Sequence, residues 1–223
     1  MPAKSIKRRT SWGYRGGEIG REARATNVVW HATKVTRQDR ERLLGQRGVV
    51  LWFTGLPSSG KSTLANEVAY MLHQRGHLAY ILDGDNIRHG LNEDLGFSPE
   101  DREENIRRIG EVANLFADAG VIAITAFISP YRRDRDRVRR LVGEGRFIEV
   151  YMNCPVEVCE RRDPKGLYTK AKKGEIPEFT GVSAPYEPPE DPEIELRTDR
   201  MSVEECAEKV VEYLEREKII RPL

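Results

Sequence analysis

No stretch of this sequence approaches the ~20 consecutive apolar residues that a membrane-spanning helix requires, so no spanning helix is expected. Cysteine is scarce: the 3 present, Cys154, Cys159 and Cys206, are an odd number without paired metal-ligand spacing. That argues against a disulfide framework or a zinc site and fits reduced core or helix residues of a cytoplasmic protein. An excess of one charge is missing too. The 37 Lys and Arg meet 36 Asp and Glu, a formal net charge of +1, so no global field draws the chain to nucleic acid or to a membrane surface. The opening MPAKSIKRRTSWGYRGG contains no acidic residue and lacks the apolar core of a secretory signal. An organelle presequence is one reading of it. We read residues 1–26, poor in aliphatics, as a flexible basic arm. What is present is a chain of 223 residues, 33% charged, with the size of one domain, residues 27–223, and room for a lid.

Periodicity orders this domain. NVVWHATKV is short and β-prone, and RQDRERLLGQRG reads as a charged helix capped by glycine. VVLWFT then reads as a buried strand, and the residues after the next glycines repeat apolar positions at Leu64, Val68 and Leu72, one helix face that Gly76 ends. HLAYIL leads into a second strand stopping at Asp83, whereas DGDNIRHGLNEDLGF is too polar and glycine-rich for a single element. Ser98 and Pro99 open a helix with Ile106, Ile109, Val112, Ala113 and Phe116 inward. VIAITAFI and RFIEVYMN are further strands, separated by the basic helix YRRDRDRVRRLVG; VEVCERR follows as a short helix after Pro155. Residues 163–192, dense in Lys, Gly, Pro and Glu, have little to bury and suggest a functional loop. PEIELRT is a candidate edge strand, and Ser202 with Glu205 forms a capping box for a last helix. Strands alternating with helices predict an α/β fold: a mainly parallel sheet with helices on both faces, a three-layer sandwich. Its ligand site lies at the carboxyl ends of the strands, where GLPSSGKST, DGDNIR and SPYRR all fall.

GLPSSGKST, residues 55–63, sits where a strand ends and a helix begins, the context in which G-x-x-x-x-G-K-[ST] signifies a phosphate-binding P-loop. Its backbone N–H groups, with Ser58, Ser59 and Thr63 in the run, would cradle the phosphates of ATP. Gly55 and Gly60 allow the close approach. Lys61 would neutralise the β- and γ-phosphates, and Ser62 would offer its hydroxyl to Mg²⁺. Asp83 and Asp85 flank a glycine just past a strand end: one carboxylate can hold Mg²⁺ in part through water, with Asp83 the candidate, and the other can take the acceptor's proton. Spacing alone does not decide which is the base, and an Asx-type turn is the bland alternative. Arg88, Arg102 and Arg107 are candidate oxyanion forks, and salt bridges to nearby acids compete for them. No N-K-x-D guanine-reading motif occurs, and AYILDGD is not the apolar run ending in Asp-Glu of a motor ATPase. The late basic segment points to a small-molecule kinase with a mobile lid that excludes water.

GLPSSGKST, LDGDNIRHGLNEDLGFSPEDREENIRRIGEVA, FADAG, TAFISPYRRDR, RFIEVY and RDPKGLYTKAKKGEIPEFTG together resemble the adenylyl-sulfate kinase (APS kinase) family, in its bacterial stand-alone form. The resemblance runs from about Asn27 to the C-terminus. It implies a P-loop NTPase fold and, in sulfate assimilation, transfer from Mg·ATP to the ribose 3′-hydroxyl of adenosine 5′-phosphosulfate, giving 3′-phosphoadenosine 5′-phosphosulfate (PAPS) and ADP. It further implies that Phe97 and Phe179 sandwich the acceptor adenine, that Arg88, Arg102 and Asn105 donate to the phosphosulfate and its surroundings, and that Asp85, Ile128 and Ser129 contribute to the acceptor pocket. Lys165 would be the lid lysine, and a homodimer is implied. The family is described with a phosphoserine at Ser129. No base neighbours Ser129 in sequence, so we expect it to line the pocket instead. Two departures stand out: Pro57 and Ser58 replace a Ser-Gly pair, and Glu178 stands where some relatives have Gly or Asn. A nucleoside or sugar kinase, and a catalytically silent nucleotide-binding module, are the alternatives; intact Lys61, Ser62, Asp83 and Asp85 argue against silence.

Overall fold

Residues 27–29 and 31–222 are described by the structure, a computed structural model; the basic arm expected over 1–26 lies outside them. Among the described residues, β1 (Val49–Thr54), β2 (Ala79–Asp83), β3 (Ile122–Ala126), β4 (Phe147–Met152) and β5 (Ile194–Leu196) form one sheet in the order β2-β3-β1-β4-β5, with every pairing parallel. Residues 49–53 of β1 are all 0% exposed, which is why VVLWFT shows no polar alternation: the central strand of a parallel sheet is covered on both sides. Val49, Leu51 and Phe53 face a core shared with α2 (Lys61–Gln74) and α8 (Val203–Arg216). Val50 and Trp52 face a second core with α4 (Pro99–Asp118) and α5 (Arg132–Val142). The three layers expected from the sequence are thus present.

Helix ends follow their caps. α1 (Arg37–Leu44) starts at a capping box of Thr36 and Asp39, and α8 at one of Ser202 and Glu205. Ser98 Oγ accepts from Asp101 N at 3.2 Å, with Pro99 first in α4. The N–H groups of Gly76 and His77 bond back to the carbonyls of His73 and Leu72, closing α2.

Three local expectations change. NVVWHATKV forms no strand among the described residues; Val28 and Val29 stand 70% and 77% exposed, and neither edge strand of the sheet, β2 or β5, pairs with them. DGDNIR contains a single-turn helix, α3 (Gly84–Ile87), capped by the Asp83 side chain. Segment 163–192 does have something to bury. Tyr168 and Ala171 of α7 (Leu167–Lys172), together with Phe179, pack on Cys154 and on Cys159 of α6 (Val156–Arg162), a third apolar cluster at the carboxyl end of β4.

Candidate active site

Residues 55–60 leave β1 and turn into α2. A Cβ on Gly55 would lie 2.9 Å from Met152 and from Ser59 Oγ, and Gly60, at the N-cap, has φ +97°; glycine is required at both for closeness and handedness. Ser58 is also left-handed, φ 59°. The Gly-to-Ser departure therefore places a side chain where glycine would be unstrained. Pro57 is absorbed into packing, its carbonyl accepting from the Tyr168 hydroxyl at 3.0 Å. Lys61 is buried, and its Nζ donates to the carbonyls of Gly55 (2.9 Å) and Leu56 (2.7 Å). Burial pulls its ionisation down to about 8, outweighing the attraction of Cys159, Asp83 and Asp85; a bound phosphate would supply the counter-charge the loop lacks.

Asp83 Oδ2 accepts from Ser62 Oγ at 2.6 Å and its Oδ1 from Asp85 N at 3.0 Å. Those bonds leave Asp83 little freedom. Asp85 is instead 71% exposed on its side chain and is paired with Lys165 of segment 163–192. Ser62 and Asp83 present adjacent oxygens at the mouth of the loop. Among the described residues no group of three or more His, Cys, Asp or Glu could hold a metal. A hydroxyl and one carboxylate suit Mg²⁺, which keeps waters and phosphate oxygens in its shell instead of an all-protein cage.

Across the cleft, Phe97 is 61% exposed, with the guanidinium of Arg88 4.4 Å and that of Arg102 5.7 Å from its ring centre. An exposed ring with two guanidinium groups beside it is a platform, not core packing. Both arginines spend their hydrogen bonds on carbonyls: Arg88 on Leu95 and Gly96, Arg102 on Phe97 and Glu178. Neither enters an ion pair among the described residues, and burial lowers the ionisation of both. Arg107, by contrast, is bound through two bonds to Glu104. The structure thereby separates the three arginines that spacing left equivalent. Asn105 is buried and accepts from Asn92.

Ser129 is 2% exposed, with left-handed backbone, φ 41°. Its Oγ accepts from Trp52 Nε1 at 3.1 Å and donates to Thr54 Oγ1 at 3.0 Å, so the hydroxyl is committed on both sides. Glu178, the other departure, has φ 52°, again left-handed, where Gly or Asn carries less strain.

A cleft of about 930 Å³ brings these groups together; of the expected site residues, Gly55, Arg107 and Phe179 do not line it. Gly55 acts through the backbone. Phe179 is 8% exposed and packs edge-on against Tyr168, ring centres 5.0 Å apart. The expectation that it stacks opposite Phe97 is not met in this arrangement, because its apolar ring is buried under α7. Sequence reasoning missed Arg162, Thr198, Met201 and Val203, which line the cleft beyond the P-loop. Thr198 Oγ1 donates to Ser59 O at 3.1 Å, and its carbonyl accepts from Arg162. They come from α6, from the turn after β5 and from the start of α8, and share no local motif.

A family model described as adenylylsulphate kinase matches residues 47–197. The chain is 57% identical over 197 residues to the adenylyl-sulfate kinase of Clostridium acetobutylicum, covering 88% of this chain and 98% of that one. It is 59% identical over 198 residues to that of Staphylococcus haemolyticus, covering 89% and 100%. Among solved structures it is similar to the Mycobacterium tuberculosis APS kinase in complex with AMPPNP and APS, with TM-score 0.73, 49% identity, and 76% and 99% of the two chains covered. A parallel sheet with the P-loop at its centre, a lysine-bearing segment across its mouth and this likeness over most of the sequence lead to one assignment: the chain belongs to the adenylylsulphate kinase family.

Proposed function

We propose that this cleft transfers the γ-phosphate of ATP to the 3′-hydroxyl of adenosine 5′-phosphosulfate, releasing ADP and PAPS, with the following division of labour. The P-loop backbone, Ser58, Ser59 and Thr63 hold the ATP phosphates at the N-terminus of α2. Lys61 exchanges the carbonyls it now contacts for phosphate oxygens. Ser62 and Asp83 would hold Mg²⁺, which when bound supplies charge neutralisation to the phosphates. Asp85 takes the proton of the acceptor hydroxyl: it is the freer of the two carboxylates, and its partner Lys165 can turn to the anionic nucleotide. Phe97 stacks on the acceptor base, while Arg88, Arg102 and Asn105 face its anionic end. Ile128 and Ser129 line the pocket, Ser129 as a hydrogen-bonded wall and not as a phosphate carrier. Phe179 buttresses segment 163–192, which serves as the lid of a single unit spanning 27–223.

The observation that carries this reading is the exposed Phe97 ring beside Arg88 and Arg102, in one cleft with the phosphate loop. A sugar kinase has no need of such an aromatic platform. We place the enzyme in the cytoplasm, on the strength of three free, buried cysteines. A homodimer is supported by the edge strand β2, where Tyr80 and, just before the strand, Leu78 are 53% and 50% exposed. The test is ADP release from Mg·ATP with adenosine 5′-phosphosulfate, against AMP, adenosine and no acceptor. Release that needs the sulfated nucleotide is expected. Release with AMP or adenosine instead removes the acceptor assignment, and tight ATP binding without release under any condition leaves the silent module.

A further inference from the structure

The turn at residues 128–130, which lines the acceptor side of the cleft, is gripped from beneath by one side chain outside that cleft. Arg135 of α5 is 1% exposed. Its Nη1 donates to Ser129 O at 2.7 Å, its Nη2 to Glu187 O at 2.8 Å and its Nε to Glu149 Oε1 at 2.6 Å. Arg139 Nη2 steadies the other oxygen of Glu149 at 3.1 Å. Glu187 lies in the return of the lid segment and is pinned again: its N–H donates to Pro130 O at 2.9 Å, and its carboxylate accepts from Arg132 N at 2.8 Å. One residue earlier, the Tyr186 hydroxyl shares a hydrogen bond of 3.0 Å with Thr54 Oγ1, which also accepts from Ser129 Oγ.

We propose that Arg135 is a positioning residue for the acceptor: its guanidinium fork ties the Ser129 turn to the lid's return at Glu187 and holds pocket wall and lid in one relation. This rests on the acceptor reading above. The chemistry suits arginine alone, since a planar fork can serve two carbonyls and a carboxylate at fixed angles, whereas an ammonium is a point charge. A buried ion pair is a weak device for stability against apolar packing of the same volume. Directed bonds to two carbonyls, one of them on a residue held at φ 41°, are a means of fixing geometry.

The test compares full-length wild type with Arg135→Lys and with the double variant R135M/E149Q, which removes the buried charge that R135M alone would strand. For R135K, KM for adenosine 5′-phosphosulfate should rise about tenfold, the loss of one charge-assisted hydrogen bond, with KM for ATP within about twofold. The double variant should unfold near the wild-type temperature yet keep the raised acceptor KM. Amide exchange in the peptide covering 184–188 should quicken in both variants, with that of β1 unchanged. A lowered unfolding temperature with acceptor KM unaltered makes Arg135 merely structural and overturns the proposal, as does an equal rise for ATP. Wild type that ignores the sulfated acceptor removes the functional reading. Exchange at 184–188 then decides the proposal by itself: unchanged protection overturns it, quickened exchange sustains it.

Discussion

In the proposed reaction Lys61 is a residue placed for a ligand it has yet to meet. Its ammonium is buried and leans on two loop carbonyls, and burial draws its ionisation to about 8. Lys61→Ala should lower kcat/KM by on the order of 10³, the scale of losing one preorganised electrostatic contact, while thermal stability holds or rises because a desolvated charge is gone. Steady-state ADP release and a melting curve read both effects. Phe97→Ala should raise KM for the sulfated nucleotide by roughly 10- to 100-fold, the range of one base–aromatic stack, and leave KM for ATP alone; unaltered acceptor affinity would remove the stacking role. Ser129→Ala should retain activity within about tenfold, since the hydroxyl satisfies Trp52 and Thr54 and neutral hydrogen bonds are modest. Near-total loss in a folded protein would instead favour the covalent phosphoserine route.

At the scale of elements, α4 meets α5 through a gap that only glycine leaves open. A Cβ at Gly110 would lie 2.7 Å from Val138 Cγ2. Helix propensity alone makes Gly110→Ala stabilising by about 1 kcal/mol. The clash reverses that sign, and urea unfolding of G110A should show destabilisation that V138A, added to it, relieves. The same helix carries an acid-sensitive tie. Glu104 is held to about 2, below its ordinary 4.5, chiefly by its hydrogen bond to Arg107 and further by Arg108, which also binds Asp94. A depressed carboxyl contributes stability that is complete above about pH 4.5 and is lost as pH falls toward 2. Between those values Glu104→Gln should lose less stability on acidification than wild type, as measured by unfolding midpoints across that window.

For the whole molecule, the cleft collects residues from Pro57 to Cys206, so ligand binding should stiffen the unit as one. A non-hydrolysable ATP analogue at 100 times its Kd should stabilise the fold by about 2.7 kcal/mol, roughly 5–10 °C in a chain of this length. Lys61→Ala should abolish most of that shift in differential scanning fluorimetry. A shift confined to segment 163–192, seen as a separate early transition, would mean that the lid melts apart from the sheet.

Much of this was legible in the chain itself. Caps, apolar periods and the parallel α/β class are local properties, set by backbone hydrogen-bond needs and by which side chains exclude water, and they appear in VVLWFT, in Ser98–Pro99 and in the capping box at Ser202. The P-loop was legible for the same reason: its chemistry lies in nine consecutive residues. Tertiary structure decided what depends on distant partners. It gave Asp83 to Ser62 and Asp85 to Lys165, left Arg88 and Arg102 to the cleft, and buried Phe179 beneath α7. It also put Arg135 behind Ser129. Whether a charged or aromatic side chain meets solvent, a counter-ion or a pocket is settled by which elements fold against it, and such an element can lie far along the chain, as Lys165 does from Asp85.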